Sequence, residues 1–151
     1  MDSIIPQELK VTPQWVGWRY QLRNGNRTKV PIDVRRRIMA SSTNPDTWTH
    51  FYGAYFASRD NNRWLDGSGF VLSREDLFYG IDLDNCINDS GKITQSAQYI
   101  IEGANSYTEV SPSQRGVKIF LRASELNALP LTFIRQNGWP VEIYPYYRFF
   151  T

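Results

Sequence analysis

The chain has 151 residues, of which 41% are hydrophobic and 21% are charged, and its formal net charge is +2 at pH 7. This length and composition exclude a disordered or membrane-embedded protein and predict one domain with a buried core. No apolar run approaches the roughly 20 residues that a membrane-spanning helix requires, and Met1 to Lys10 lack a signal-peptide pattern. We therefore expect a cytoplasmic protein without a membrane partner. Its single cysteine, Cys86, excludes an internal disulfide and is expected to be a packing residue.

The N-terminal part of the chain predicts a β-hairpin. Aromatic residues are frequent in Trp15 to Leu22, which favours a strand. The dipeptide Asn24-Gly25 is a strong turn signal, so Thr28 to Ile32 is expected to return antiparallel to the first strand. The loop that follows, Asp33 to Ser42, is expected to be exposed and mobile.

A helix and a second hairpin are expected next. Asn44 is a capping residue before Pro45, which predicts a helix that starts there and ends near Arg59. Gly69 to Ser73 and Phe78 to Asn85 both have strand composition and are expected to pair with each other.

The C-terminal half alternates one helix with short strands. Apolar residues at helical spacing predict an amphipathic helix that covers a sheet; they are Ile93, Ala97, Ile100 and Ile101. Period-two alternation predicts strands in three further segments: Tyr107 to Val110, Val117 to Arg122 and Val141 to Tyr144.

Two aspartates in the central strand are the strongest chemical signal. In FYGIDLDN, Asp82 and Asp84 share one face of the predicted strand with Gly80, and their Cα atoms would be roughly 7 Å apart. Two adjacent carboxylates repel each other unless a cation binds them, so the pattern indicates a divalent metal site. The alternative is that these residues only end a strand and begin a turn.

The same alternation places further charged residues on that face. If the strands form one sheet, Lys118 and Glu142 lie beside the aspartates, opposite the helix-covered face. Three carboxylates (Asp82, Asp84 and Glu142) can hold two divalent metals, the arrangement used in phosphoryl and nucleotidyl transfer. Arg115 and Lys118 would neutralise a triphosphate. The loop Ser111 to Gly116 could bind phosphate oxygens through backbone N–H groups and the hydroxyls of Ser111 and Ser113, or be an ordinary surface loop.

Charge is unevenly distributed along the chain. The stretch from Arg19 to Arg37 contains one acid and seven basic residues: Arg19, Arg23, Arg27, Lys29, Arg35, Arg36 and Arg37. The stretch from Asp66 to Asp89 contains six acids and one basic residue, Arg74. This separation suits a protein that holds a metal and binds a polyanion, although solvated surfaces can have the same composition.

Several motifs together resemble a known family. They are YGIDLDNC, SYTEVSPSQRGVKIF, VEIY and RFFT, preceded by TKVP, ASST and NPDTW. In this order they resemble the N-terminal primase-polymerase domain of phage and plasmid replication proteins, in the archaeo-eukaryotic primase superfamily. The resemblance implies an α/β (α+β) fold: an RNA-recognition-like mixed sheet with helices on one face at about residues 67–151, and an N-terminal β-containing module at about 1–66. Such a domain is expected to continue beyond Thr151.

The resemblance also implies an activity and its residues. The activity is template-dependent DNA priming or polymerisation with Mg²⁺ or Mn²⁺, in replication of a phage, plasmid or other mobile element. Asp82, Asp84 and Glu142 match the metal-binding carboxylates, whereas Ser113 and Lys118 match the nucleotide-binding motif. In that motif Lys118 replaces the usual histidine, and Pro145 replaces an aspartate often found in the last motif. A lysine offers a point charge but no neutral hydrogen-bond acceptor.

The expected partners follow from this activity. They are nucleoside triphosphates, a single-stranded DNA template or primer, and a replicative helicase in the same chain or separate. Phosphate contacts are expected from five basic residues: Arg19, Lys29, Arg35, Arg36 and Arg37. Trp18, Tyr20 or Tyr146 could stack on a base. Two alternatives remain: a single-stranded DNA or nucleotide binding module without catalysis, and a metal-dependent phosphodiesterase or nuclease.

Overall fold

The fold is described from a computed structural model, which defines residues 4–122 and 141–151. Its elements, in chain order, are α1 Gln7–Val11, β1 Trp15–Arg23, β2 Asn26–Asp33, β3 Ile38–Met39, a 3₁₀ turn Pro45–Thr47, α2 Phe51–Ser58, β4 Gly67–Leu72, β5 Phe78–Leu83, α3 Gln95–Ala104, β6 Thr108–Val110, β7 Val117–Arg122, β8 Val141–Tyr144 and β9 Arg148–Phe150. They form two antiparallel sheets with few helices, which confirms the α+β class. No helix in residues 4–122 and 141–151 is long and apolar enough to cross a membrane.

The first compact unit contains Met1–Ser73 and Tyr147–Thr151. Its sheet has the strand order β3-β2-β1-β4-β9. The predicted hairpin is confirmed, because Asn24 and Gly25 both have positive φ (50° and 78°) in the turn between β1 and β2. Its core includes Trp15, whose ring contacts the edges of Phe51 and Phe70 at centroid distances of 4.9 and 5.3 Å.

The second compact unit is Arg74–Tyr146. Its sheet has the order β6-β7-β5-β8, and α3 packs against one face. The predicted amphipathic helix is confirmed: Ala97, Ile100 and Ala104 are buried in a core with the inward side chains of the sheet. The Thr94 hydroxyl caps this helix by accepting from the Ala97 N–H, and Asn105 ends it in the left-handed region. Cys86 is buried in the same core, as expected.

The expected second hairpin is wrong. β4 pairs with β1 and β9 in the first sheet, whereas β5 pairs with β7 and β8 in the second. Phe70, Val71 and Leu72 are all buried, so β4 is apolar on both faces and requires an interior position with cover on both sides. The two units therefore divide after Ser73, and the C-terminal strand β9 belongs to the first unit.

Two finer expectations also differ from the structure. The helix expected from Asn44 is interrupted, because Thr49 exchanges backbone hydrogen bonds with Trp15 (2.7 and 2.9 Å) and cannot continue a helix. The Asn44 cap itself is confirmed, since its side chain accepts from the Asp46 N–H. The expected mixed sheet is antiparallel at every pairing between described strands of the second unit.

Candidate active site

A row of four charged residues crosses the second sheet on the face opposite α3. The strand register pairs Glu109 with Lys118, Lys118 with Asp82, and Asp82 with Glu142. Residues directly paired on antiparallel strands project to the same side of the sheet. The neighbouring core residues project the other way, toward α3: Ile81, Ile119 and Ile143. The four strands thus bring three carboxylates and one ammonium group into one line, hereafter the charged row.

The centre of the charged row is an ion pair. Lys118 Nζ lies 2.7 Å from Asp82 Oδ2, and the two side chains are only 10% and 15% exposed. The other carboxylate oxygen, Asp82 Oδ1, is buried and has no hydrogen-bond partner among the described residues. A buried acceptor without a partner is energetically costly, so it marks a position where a cation or a water can bind.

Tyrosine hydroxyls bind the two acids at the ends of the charged row. The Tyr107 hydroxyl donates to Glu109 Oε2 at 3.0 Å, and the Tyr144 hydroxyl donates to Glu142 Oε2. Burial, together with the adjacent Glu109 charge, raises the pKa of Tyr107, so this hydroxyl stays protonated at neutral pH. Glu109 was not identified from the sequence. The alternation in TEV indicates which side of β6 Glu109 lies on, but only the pairing of Glu109 with Lys118 shows that it belongs to the charged row.

Asp84 lies just beyond the end of β5 and is exposed. The next residue, Asn85, has a φ of 53° and turns the chain away from the strand direction. In the described parts of the chain, no three His, Cys, Asp or Glu side chains converge into a ready metal site. Joint metal binding by Asp82, Asp84 and Glu142 therefore stays a prediction. The strand register makes Asp82 and Glu142 direct cross-strand neighbours.

The loop Ser111 to Gly116 is a closed turn beside the end of β5. The Ser111 N–H donates to the Gly116 carbonyl at 2.8 Å, and the Gly116 N–H donates to the Ser111 hydroxyl at 3.2 Å. A Cβ on Gly116 would lie 2.9 Å from the Leu83 carbonyl oxygen, so only glycine permits this close approach. Ser111 is buried and shapes the loop, and its hydroxyl lies 2.9 Å from that of Ser113.

Arg115 extends from this loop next to an open cavity. Its guanidinium pairs with Asp89 at 2.5 Å, and the two side chains are 61% and 90% exposed. Ser113, Arg115 and Asp89 are among the residues that line a cavity of about 350 Å³. An exposed ion pair is worth little in water, so an anionic ligand can replace Asp89 on Arg115 at low cost.

The five basic residues expected to bind DNA lie in the first unit and have different surroundings. The guanidinium groups of Arg35 and Arg36 both contact the buried carboxylate of Asp33, at 3.4 and 3.2 Å. Lys29 Nζ donates to Thr151 Oγ1 at 2.9 Å. Arg37 lies over the Trp64 ring, at 4.9 Å from its centroid. Arg19 is half-buried on β1, opposite Val30 of β2.

The environment of Asp33 predicts that the stability of the fold decreases at acidic pH. Burial alone would raise the pKa of Asp33, but N–H groups of Arg35 and Arg36 and the Arg35 charge lower it below 3.8. A lowered folded-state pKa stabilises the protein fully above the unfolded value, and this stabilisation is lost as the pH falls below about 4. We expect Asp33→Asn to lower the free energy of unfolding by about 2 kcal/mol near neutral pH and by less near pH 3.

Urea unfolding at both pH values measures this difference. Asp60→Asn is the matched control, because Asp60 also accepts an N–H from two residues on, that of Asn62, but is less buried. Equal losses of stability at the two pH values for Asp33→Asn would contradict the prediction.

Comparison with known proteins adds one finding. No family model matches the chain. The DNA primase-polymerase of Nitratiruptor phage NrS-1 is 28% identical in an alignment 148 residues long, and the alignment covers 91% of this chain and 18% of that protein. The chain therefore spans less than a fifth of the length of the relative that it matches. Over most of its own length, this chain is similar in sequence to part of a phage DNA primase-polymerase.

Proposed function

We propose that this chain is a template-dependent DNA primase or polymerase domain that transfers nucleotides with two divalent metals. It would act in the replication of a phage, plasmid or other mobile element. The observation that carries the proposal is the charged row, Glu109, Lys118, Asp82 and Glu142, on one face of the second sheet. The similarity to a phage DNA primase-polymerase supports the same assignment.

Asp82, Asp84 and Glu142 would hold Mg²⁺ or Mn²⁺. Carboxylate oxygens are the donors that these hard cations prefer, and the unpartnered buried oxygen of Asp82 fits a cation ligand. When bound, two such metals stabilise the attacking and leaving oxygens of the displacement. Glu142 is exposed and Asp84 lies at an open strand end, so both can move toward a cation.

The triphosphate would bind beside the loop Ser111 to Gly116. Arg115 can exchange its exposed partner Asp89 for a phosphate, and the Ser113 hydroxyl lies on the same cavity. Ser111 holds the loop closed from within. Lys118 places one positive charge beside Asp82, so the charged row repels an incoming triphosphate less than three carboxylates alone would. Arg19, Lys29, Arg35, Arg36 and Arg37 are proposed to contact template or primer phosphates.

Binding without catalysis is the second candidate function, and one observation favours it. Lys118 already occupies one oxygen of Asp82, where the resemblance implies a histidine and a metal-bound carboxylate. If this ion pair persists when metal is present, the chain would bind single-stranded DNA or nucleotides and synthesise nothing.

Incorporation of labelled nucleotide on a primed single-stranded template tests the proposal. We expect the chain to extend the primer with Mn²⁺ or Mg²⁺, and to stop when EDTA is added. Binding of the template without extension would support the second candidate. Shortening of the labelled strand in the absence of triphosphates would instead indicate a nuclease.

Lys118→His tests whether the ion pair competes with metal. A neutral imidazole removes the positive charge next to Asp82, so we expect Mn²⁺ to bind on the order of tenfold more tightly. Electron paramagnetic resonance titration of free Mn²⁺ measures this without any assay of activity. Lys92→His, an exposed lysine of the same unit, is the matched control. Unchanged Mn²⁺ affinity in Lys118→His would refute competition at Asp82.

A further inference from the structure

The hairpin of β1 and β2 has one face with aromatic side chains on β1 and basic side chains on β2. In its register Tyr20 is opposite Lys29, and Leu22 is opposite Arg27. Together with Trp18, which is opposite Pro31, these residues form what we call the hairpin face. Arg19 lies on the other face of β1, because side chains of successive strand residues alternate.

Cation–π contacts order the basic groups of the hairpin face. The Arg27 guanidinium lies 3.9 Å from the centroid of the Tyr20 ring, and Lys29 Nζ lies 5.3 Å from that of Trp18. Trp18 is 4% exposed and supports Tyr20 edge-on, at a centroid distance of 5.2 Å. The guanidinium of Arg27 is thus already held over the half-buried ring of Tyr20, which reduces the entropy lost when a ligand stacks on it.

Charge favours an anionic partner for this face. From Trp15 to Ile32 the chain has four basic residues and no acid: Arg19, Arg23, Arg27 and Lys29. Asp33, the last residue of β2, is bound by Arg35 and Arg36, and Asp66 accepts the Tyr20 backbone N–H at 2.7 Å. Among the described residues no carboxylate pairs with Arg27, in contrast to Arg35 and Arg36, which contact Asp33.

The tip of the hairpin is also apolar and exposed. Leu22 is 78% exposed, although it is opposite Arg27. An apolar side chain next to a basic one suits a ligand that has both negative charge and flat apolar surfaces. Nucleic acid has both, and its bases are accessible for stacking only when the strand is single.

We propose that the hairpin face binds single-stranded DNA. Arg27 and Lys29 would contact backbone phosphates, while a base stacks on the Arg27–Tyr20 pair and another contacts Leu22. This inference deepens the proposed function, on which it rests for the choice of DNA, by naming the surface that holds the template or primer strand. It also selects Lys29 from the expected DNA-binding set and adds Arg27 and Leu22.

Fluorescence anisotropy with a labelled oligothymidylate of about 16 nucleotides tests the proposal. We expect Arg27→Ala to weaken binding about tenfold and to lower the slope of log affinity against log salt by about 0.7. Arg27→Lys should restore the salt slope but less than half of the lost affinity, because lysine keeps the charge and loses the stacking plane. Thermal melts monitored by circular dichroism check that each variant is folded.

Arg59→Ala is the matched control. Arg59 is an exposed arginine of the same unit, just after the end of α2. Its guanidinium also lies over a tyrosine ring, 4.6 Å from the centroid of Tyr55. Leu22→Glu is a second variant at an exposed site, and we expect it to weaken binding about tenfold by placing a negative charge at the hairpin tip. Equal affinities of Arg27→Ala and Arg59→Ala would overturn the proposal. A larger effect from Arg19→Ala than from Arg27→Ala would also overturn it, by placing the strand on the opposite face.

Competition experiments test the choice of ligand. Unlabelled single-stranded DNA should displace the probe at least tenfold better than duplex DNA of the same length, on the order expected when stacking contributes. Equal displacement by duplex DNA, or better displacement by single-stranded RNA, would overturn the assignment to single-stranded DNA. Failure of this inference is distinguishable from failure of the proposed function. Nucleotide incorporation with unaltered DNA binding by Arg27→Ala refutes only the hairpin face, whereas Arg27-dependent binding without incorporation refutes only the polymerase.

Discussion

The Asp82→Asn variant is expected to incorporate nucleotides at least about 100-fold more slowly than the parent, while it remains folded and binds DNA normally. Asparagine has the shape of aspartate and keeps an oxygen that can accept from Lys118 Nζ, now 2.7 Å from Asp82. It cannot supply the negative charge that a divalent cation needs. Because asparagine keeps the hydrogen bond to Lys118 but not the charge, it should cost less stability than alanine, and a thermal melt separates lost chemistry from lost folded protein.

Single-turnover incorporation with Mn²⁺ measures this effect. The matched control is Glu102→Gln, which removes one carboxylate charge from α3, on the other side of the same sheet. DNA binding by anisotropy and a thermal melt complete the comparison. If Asp82→Asn incorporates nucleotides within about threefold of the parent rate, Asp82 is not a metal ligand, and the proposed mechanism fails.

Truncation of the same residue to alanine should have a different result. We expect Asp82→Ala to lower the free energy of unfolding by about 3–5 kcal/mol, because it removes both the charge and the hydrogen-bond acceptor that face a largely buried ammonium group, whereas asparagine keeps the acceptor. Lys118 is only 10% exposed at its side chain, so water cannot replace Asp82 freely. Lost activity in Asp82→Ala would for this reason combine a folding defect with a catalytic one.

A double-mutant cycle separates these two contributions. Asp82→Ala combined with Lys118→Met should recover most of the lost stability, because it removes the buried charge and fills its volume with an apolar side chain. Urea unfolding of both single variants, the double variant and the parent yields the coupling energy. Asp89→Ala, which breaks the exposed pair with Arg115, should change stability by less than about 1 kcal/mol. Full stability of Asp82→Ala alone would show that the pair does not hold the second sheet together.

The local structure of this chain was largely predictable from its sequence. Asn24-Gly25 specifies the first hairpin because both residues tolerate positive φ. The helical spacing of Ala97 and Ile100 specified the buried face of α3, and the alternation in VKIFLR separated Lys118 from the core. Each of these signals involves residues close together in the chain, so local sterics and burial decide them.

Strand pairing could not be derived in the same way. β4 and β5 are consecutive in the chain and have similar composition, yet they belong to different sheets. The choice depends on the partners available at long range, β9 for β4 and β8 for β5, and on whether both faces of a strand are covered. A short-range sequence pattern shows neither the distant partner strands nor the cover on each strand face, so the expected hairpin around Arg74 was wrong.

The candidate site also has some features that local sequence predicts and others that depend on the tertiary structure. The sequence by itself determined that Asp82, Lys118 and Glu142 each project away from the apolar side of their own strand, since alternation along each strand is a local property. Only the tertiary structure decided that Lys118 pairs with Asp82, that Glu109 joins the charged row, and that Asp33 holds Arg35 and Arg36. These contacts depend on register and burial, which exist only once distant segments pack together.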